Sequence, residues 1–148
     1  MMSDMGAYDM LKLEHQLCFP LYAAARKVTA LYQPHLSKLG ITYTQYIVFM
    51  LLWEENSLSV GEICRRLYLD SGTLTPLLKK LEKEGYIYRQ RSENDERVVM
   101  VSLTEKGMLL REKAKDIPVA VGGCVPLTED NAVMLYQLLY QILGGIAT

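Results

Sequence analysis

Residues 60–103 read VGEICRRLYLDSGTLTPLLKKLEKEGYIYRQRSENDERVVMVSL, and the order of elements within them decides the fold. Val60, Ile63, Cys64 and Leu67 recur at helical spacing, with Ser59 in place to cap them. Asp70 or Ser71 caps a second helix that carries Leu74, Leu77, Leu78 and Leu81 and stops at Gly85. Two short helices joined by a few residues predict a helix-turn-helix. Pro76 falls early in the second helix, where its missing N–H is expected to cost little. After Gly85 the texture changes. Tyr86-Ile87-Tyr88-Arg89 predicts a strand, residues 92–96 a polar turn, and residues 98–103 the returning strand. A hairpin with a charged tip, directly after the second helix, predicts a wing.

Outward from this core, both ends of the chain look helical. Thr42 to Glu55 predicts a short buried helix. Leu17, Leu21, Ala24, Val28 and Leu31 form an apolar stripe at spacings of three and four. Pro34 is expected to end that helix. Pro20 fits its first turn if the helix starts near Leu17, and kinks it otherwise. Thr104 caps a helix from Glu105 toward Asp116, which Pro118 and Gly122-Gly123 interrupt. A last helix runs from Thr128 to about Leu143. The expected fold is mainly α with a small β-hairpin wing: one domain over residues 1–148, with a winged helix-turn-helix lobe at 42–103. The last helix is more broadly apolar than a small core consumes. Residues 10–35 and 105–148 are therefore the expected dimerisation helices of a homodimer.

The bulk numbers bound the function. The chain has 148 residues, 50% hydrophobic and 22% charged, an ordinary globular balance. Its net charge is −1, so any basic face must be local and offset elsewhere. Residues 1–9 carry no leader-like pattern, and no apolar run reaches the ~20 residues of a membrane span. A cytoplasmic protein is expected, with no membrane partner. Cys18, Cys64 and Cys124 lie far apart without metal-ligand spacing, so three thiols are expected and no metal or cofactor.

A helix fits the major groove, and its first residues reach base edges. Ser71, Thr73 and Thr75 open the second helix with short hydroxyl side chains. A helix N-terminus also favours phosphate. Lys79 and Lys80, with Lys83, suit phosphate contacts that position without specifying. Arg89, Arg91 and Arg97 lie on the wing, where an arginine can enter the narrow minor groove. The same lysines interleave with Glu82 and Glu84, a pattern that also describes an ordinary solvated helix face. The ordered combination of helix, link, capped helix, strand, charged turn and strand favours duplex DNA as the partner.

Asp95-Glu96-Arg97, followed by Val101-Ser102-Leu103-Thr104-Glu105-Lys106-Gly107, resembles the wing signature of the MarR family of regulators. Residues 69–81, LDSGTLTPLLKKL, resemble the recognition helix of its organic hydroperoxide-sensing OhrR branch, as do residues 13–22, LEHQLCFPLY. The resemblance runs from about Leu11 to Leu143 and weakens after Pro118. It implies a dimer gripping a pseudo-palindromic operator, with Arg97 in the minor groove and Asp95 orienting the wing. It also implies repression of a stress gene, relieved by oxidation of a cysteine by an organic hydroperoxide.

Cys64 shares a face with Val60 and Leu67 and reads as a small buried hydrophobe. Cys18 differs. At a helix N-terminus the dipole favours a thiolate, the reactive form. Tyr22 lies one turn away on the same face. Tyr32 returns to nearly that face, but about 21 Å along a straight helix, so it reaches Cys18 only of a partner chain whose first helix runs antiparallel. In the family pattern, residues matching Tyr22 and Tyr32 hydrogen-bond the reactive cysteine across the dimer, and Tyr43 matches a further tyrosine near the site. The first oxidation product, a sulfenic acid, condenses with a second thiol. That thiol is a low-molecular-weight one in some members and a second cysteine in others. Cys124, between two helices, is either that resolving cysteine or a loop cysteine with no redox role. Two other readings stay open. One is a regulator that binds a small aromatic ligand against Tyr22, Tyr32 and Trp53. The other is a thiol peroxidase, although no thioredoxin-like pattern or C-x-x-C pair is present.

Overall fold

A computed structural model describes residues 6–146. Met1 to Met5, where part of the leader-free stretch was expected, and residues 147–148 lie outside the described residues. The chain divides into two compact units, one ending at Ile117 and one beginning at Pro118.

The first unit opens with two 3-10 turns, Asp9–Leu11 and Leu13–His15, and helix α1, Cys18–Ala30. Helix α1 starts beside Leu17, so Pro20 falls in its first turn, where no intrahelical bond is lost. Pro34 does not simply end α1, as expected. It sits in the first turn of a separate helix, α2, Gln33–Leu39, which closes on Gly40 with φ +70°. Seven residues are too few to show an apolar period, which is why α2 escaped the pattern.

Helix α3, Tyr43–Glu55, is set by a capping box between Thr42 and Gln45. Its Tyr46, Val48, Phe49, Leu51 and Leu52 are buried. It is the central post of the unit. Helix α4, Val60–Leu67, has a second capping box, Ser59 with Glu62, and α5, Ser71–Lys83, follows it. Ile63 on α4 and Leu74, Leu78 and Leu81 on α5 are buried.

The wing strands are β2, Ile87–Arg91, and β3, Val99–Leu103. A further strand, β1, Ser57–Ser59, pairs with β3, so the sheet has three strands in the order β1-β3-β2. The expected two-stranded hairpin is thus enlarged by three residues too short to announce themselves. Val101 on β3 faces both Leu58 and Arg89, placing all three on one side of the sheet. Helix α6, Glu105–Ala114, is capped by Thr104.

Pro118 opens a short helix, α7, Ile117–Gly122, instead of only breaking the preceding one. In the second unit, α8, Glu129–Gly145, is capped by Thr128. Val133, Met134, Leu135, Leu138 and Ile142 are exposed along it.

Candidate nucleic-acid interface and thiol site

Helix α5 begins at a charged cap. Asp70, not Ser71, is the capping residue: its carboxylate accepts from the Thr73 amide at 2.7 Å and from the Thr73 hydroxyl at 3.0 Å. These two donors hold the Asp70 carboxyl below its ordinary range. The cap leaves Ser71 exposed and ties the exposed Thr73 hydroxyl back to Asp70, while Thr75 is half-buried. Lys79, Lys80 and Lys83 are exposed and line one open groove with Glu84. Leu74, Leu78 and Leu81 anchor the opposite face, so the lysine face points outward by default. Pro76 lies deeper than expected, inside the helix beyond its first turn. Its missing N–H leaves the carbonyl of Gly72, an exposed residue, without its usual helical donor.

The wing tip is held by its own charges. The Arg91 guanidinium donates to the Glu96 carbonyl at 2.7 Å. Asp95 accepts from both the backbone and the side chain of Arg97, at 3.0 Å and 3.1 Å. Those bonds hold the Asp95 carboxyl below its ordinary range. The Arg97 side chain is nevertheless 91% exposed. Arg89 departs from the expected wing contact. It points to the inner face of the sheet, where Glu82 of α5 accepts from its backbone N–H and from its guanidinium, each at 3.0 Å. The Arg89 Nε is buried without a hydrogen-bond partner among the described residues.

Cys18 is exposed and is the first residue of α1. Tyr22 is exposed one turn later, with the Arg26 guanidinium 5.6 Å from its ring centre. Tyr32 is not on α1, as expected, but at the start of α2. There it meets Tyr43 at 5.0 Å and Tyr46 at 5.7 Å between ring centres. Helix α1 separates Cys18 from this cluster by about 18 Å of rise within one chain. Burial, then the neighbouring Tyr32, raises the hydroxyl pKa of Tyr43; the same causes, with Tyr43 added, raise that of Tyr46. Both hydroxyls are therefore neutral donors at physiological pH. Tyr46 was missed in the sequence, although its three-residue spacing from Tyr43 put the two on one face.

Trp53 lies at the other end of α3 from Tyr43. It stacks on Phe49 at 5.5 Å and donates through Nε1 to the Gly107 carbonyl at 2.9 Å. Cys64 is half-buried in α4. Cys124 is exposed beyond α7, its thiol donating to the Ala120 carbonyl at 3.4 Å. Among the described residues no cluster of His, Cys, Asp and Glu could hold a metal ion, and no helix is long and apolar enough to cross a membrane.

A helix-turn-helix followed by a strand pair that reaches beyond a small three-stranded sheet defines the winged-helix class. Residues 30–116 match the family described as "Transcriptional regulator SarA/Rot". Over 136 residues the chain is 52% identical to the "Organic hydroperoxide resistance transcriptional regulator" of Bacillus subtilis (strain 168), covering 92% of each. AbfR of Staphylococcus epidermidis offers structural comparisons. Reduced AbfR bound to DNA superposes with TM-score 0.76 at 36% identity, over 93% of this chain and 96% of that one. Disulfide-formed AbfR superposes with TM-score 0.64 at 36% identity, over 91% and 95%. The chain belongs to this SarA/Rot and MarR-like family of winged-helix transcriptional regulators, in its organic hydroperoxide regulator branch.

Proposed function

We propose that this chain is a cytoplasmic, homodimeric DNA-binding repressor that senses organic hydroperoxides through Cys18 and releases its operator when oxidised. The observation that carries the reading is the exposed Cys18 thiol at the first residue of α1, on a scaffold whose lysine-bearing helix and arginine-tipped wing suit duplex DNA. Ser71, Thr73 and Thr75 lie at the base-reading end of α5. Lys79 and Lys80 serve phosphates, and Arg91, Asp95 and Arg97 shape and extend the wing.

The apolar residues exposed at the start of α1 (Leu17 just before it, Phe19 and Leu21 on it) and on α8 (Val133, Leu135, Leu138) suit a second copy of the chain. In such a dimer Tyr22 and Tyr32 of the partner subunit donate hydrogen bonds to the Cys18 thiolate, with Tyr43 beside them. The thiolate attacks the hydroperoxide; the O–O bond breaks, an S–O bond forms, and the alkoxide leaves as an alcohol after protonation. Sulfur gives two electrons and becomes a sulfenic acid. A second thiol, from Cys124 or a small cellular thiol, then forms a disulfide and releases water. Oxidation is a stoichiometric signal, not turnover.

The test is operator binding with and without one equivalent of an organic hydroperoxide. Wild type is expected to dissociate and Cys18→Ser to stay bound. Release of the Cys18→Ser protein by peroxide would refute the thiol switch. Sustained peroxide consumption with a thiol reductant would make the protein an enzyme.

A further inference from the structure

We infer that Glu82 and Arg89 are a positioning pair that sets the wing against the recognition helix, so that this carboxylate strengthens DNA binding instead of opposing it. The inference rests on the DNA-binding reading above.

Glu82 lies near the end of α5, and Arg89 is in the middle of β2. One Glu82 oxygen accepts from the Arg89 backbone N–H and the other from its guanidinium. A carboxylate that holds both the strand's backbone and its side chain fixes distance and orientation together. A single contact would leave the strand free to pivot. The connection between the two residues turns at Gly85, whose φ of +83° lets the chain reverse. The pair closes this turn.

Position on the sheet explains why the pair is inward. Arg89 faces Val101, which faces Leu58, and both of those are buried. Alternation along β2 sends Tyr88 and Gln90 outward and Arg89 toward α5. The guanidinium is thus largely removed from water. Its Nε has no partner among the described residues, and Glu82 supplies the compensating charge. Arg89 in turn holds the Glu82 carboxyl below its ordinary range.

The lever lies beyond the pair. Arg91, Asp95 and Arg97 are on the outer part of the same hairpin. The tip is ~15 Å past Arg89 at strand rise, so a tilt of ~10° at Arg89 moves it ~3 Å. That displacement exceeds the tolerance of a hydrogen bond.

The experiment measures binding to a duplex that the reduced wild-type protein has selected from a random pool. Fluorescence anisotropy across a KCl series compares wild type with Glu82→Gln, Arg89→Gln, Arg89→Lys and the double variant Glu82→Gln/Arg89→Gln. Melting temperature and dimer size are recorded, and affinity is corrected for the active fraction. Each single variant is expected to bind about tenfold more weakly with an unchanged salt slope, and the double variant no worse than the weaker single. Repeating the selection with Glu82→Gln is expected to lose base preference only at the outer positions, which the wing reaches. A purely structural role would lower the melting temperature and leave that preference intact. The inference is overturned if Glu82→Gln binds as tightly as wild type or tighter. It is equally overturned if Arg89→Gln shallows the salt slope by about one while Arg89→Lys binds normally, the signature of a phosphate contact. Failure of the wild type to enrich any duplex would sink the DNA-binding reading and the inference with it.

Discussion

Trp53 and Gly107 join the end of α3 to the start of α6 through a single hydrogen bond, indole Nε1 to carbonyl, 2.9 Å long. The joint also demands a residue without a side chain. A Cβ on Gly107 would lie 2.3 Å from the Tyr86 carbonyl oxygen and 2.9 Å from Leu103 Cδ2. The neighbouring Lys106 ammonium caps the Glu84 carbonyl at 2.6 Å and sits 4.3 Å from the centre of the Tyr86 ring. Thr104 reaches the Gly85 carbonyl at 2.6 Å. The start of α6 is thus locked onto the turn that ends the recognition helix.

Gly107→Ala should therefore destabilise the fold by about 1–3 kcal/mol, because backbone, not a flexible side chain, must give way. Trp53→Phe should cost about 1 kcal/mol by removing the indole donor. Urea denaturation followed by circular dichroism checks both. A neutral Gly107→Ala would show that Tyr86 can move aside without cost.

The Asp70 cap gives a pH dependence with a definite sign. Its carboxyl is held below its ordinary value of 3.8 by the Thr73 amide and hydroxyl. The cap's contribution is present in full above that value and is lost as pH falls through the lower folded value. Protection of the Thr73 amide from exchange should stay flat from neutral pH to about pH 5 and collapse only below the ordinary aspartate range. An Asp70→Ala variant should lack the transition. Loss of protection with a midpoint above 3.8 would contradict the assigned cap.

At the wing tip, Arg97→Ala should weaken DNA binding and leave the dimer intact. Asp95→Asn should also weaken it, although it removes a negative charge, because Asp95 holds Arg97 at three atoms. Lys79→Ala should weaken binding across sequences and shallow the salt slope by about one. An electrophoretic mobility series at several salt concentrations separates these effects. Tighter binding by Asp95→Asn would remove its orienting role.

Mass spectrometry after one equivalent of organic hydroperoxide should find the first oxidised sulfur on Cys18. A Cys18–Cys124 disulfide makes Cys124 the resolving residue. A mixed disulfide in the presence of a small thiol makes that thiol the resolving partner. Oxidation starting at Cys64, which is half-buried, would refute the assignment to Cys18.

Much of the scaffold was legible because local signals agreed with one another. Ser59 and Thr104 cap the helices their positions suggested, Asp70 was one of two candidates for its cap, and helices start beside Thr42 and Thr128 as expected. What escaped were short elements held by their neighbours. Strand β1 exists because β3 supplies its ladder, and α2 is a seven-residue helix with Pro34 in its first turn. The helix start at Cys18 and the wing position of Arg97 were legible, and both are exposed, whereas orientation was illegible where side chains turn inward. Nothing in the order of charges around residue 89 distinguishes an arginine facing phosphate from one facing Glu82.

The sequence by itself determined the order of the longer elements, several of the caps that start them and the placement of Cys18 in the first turn of α1. These are short-range matters of spacing and dihedral preference, written within a few residues. Only the tertiary structure decided which side of the sheet Arg89 occupies, that Tyr46 completes the cluster of Tyr32 and Tyr43, and that Trp53 reaches Gly107. Those outcomes depend on strand register and on contacts between residues far apart in the chain, and neither leaves a local trace.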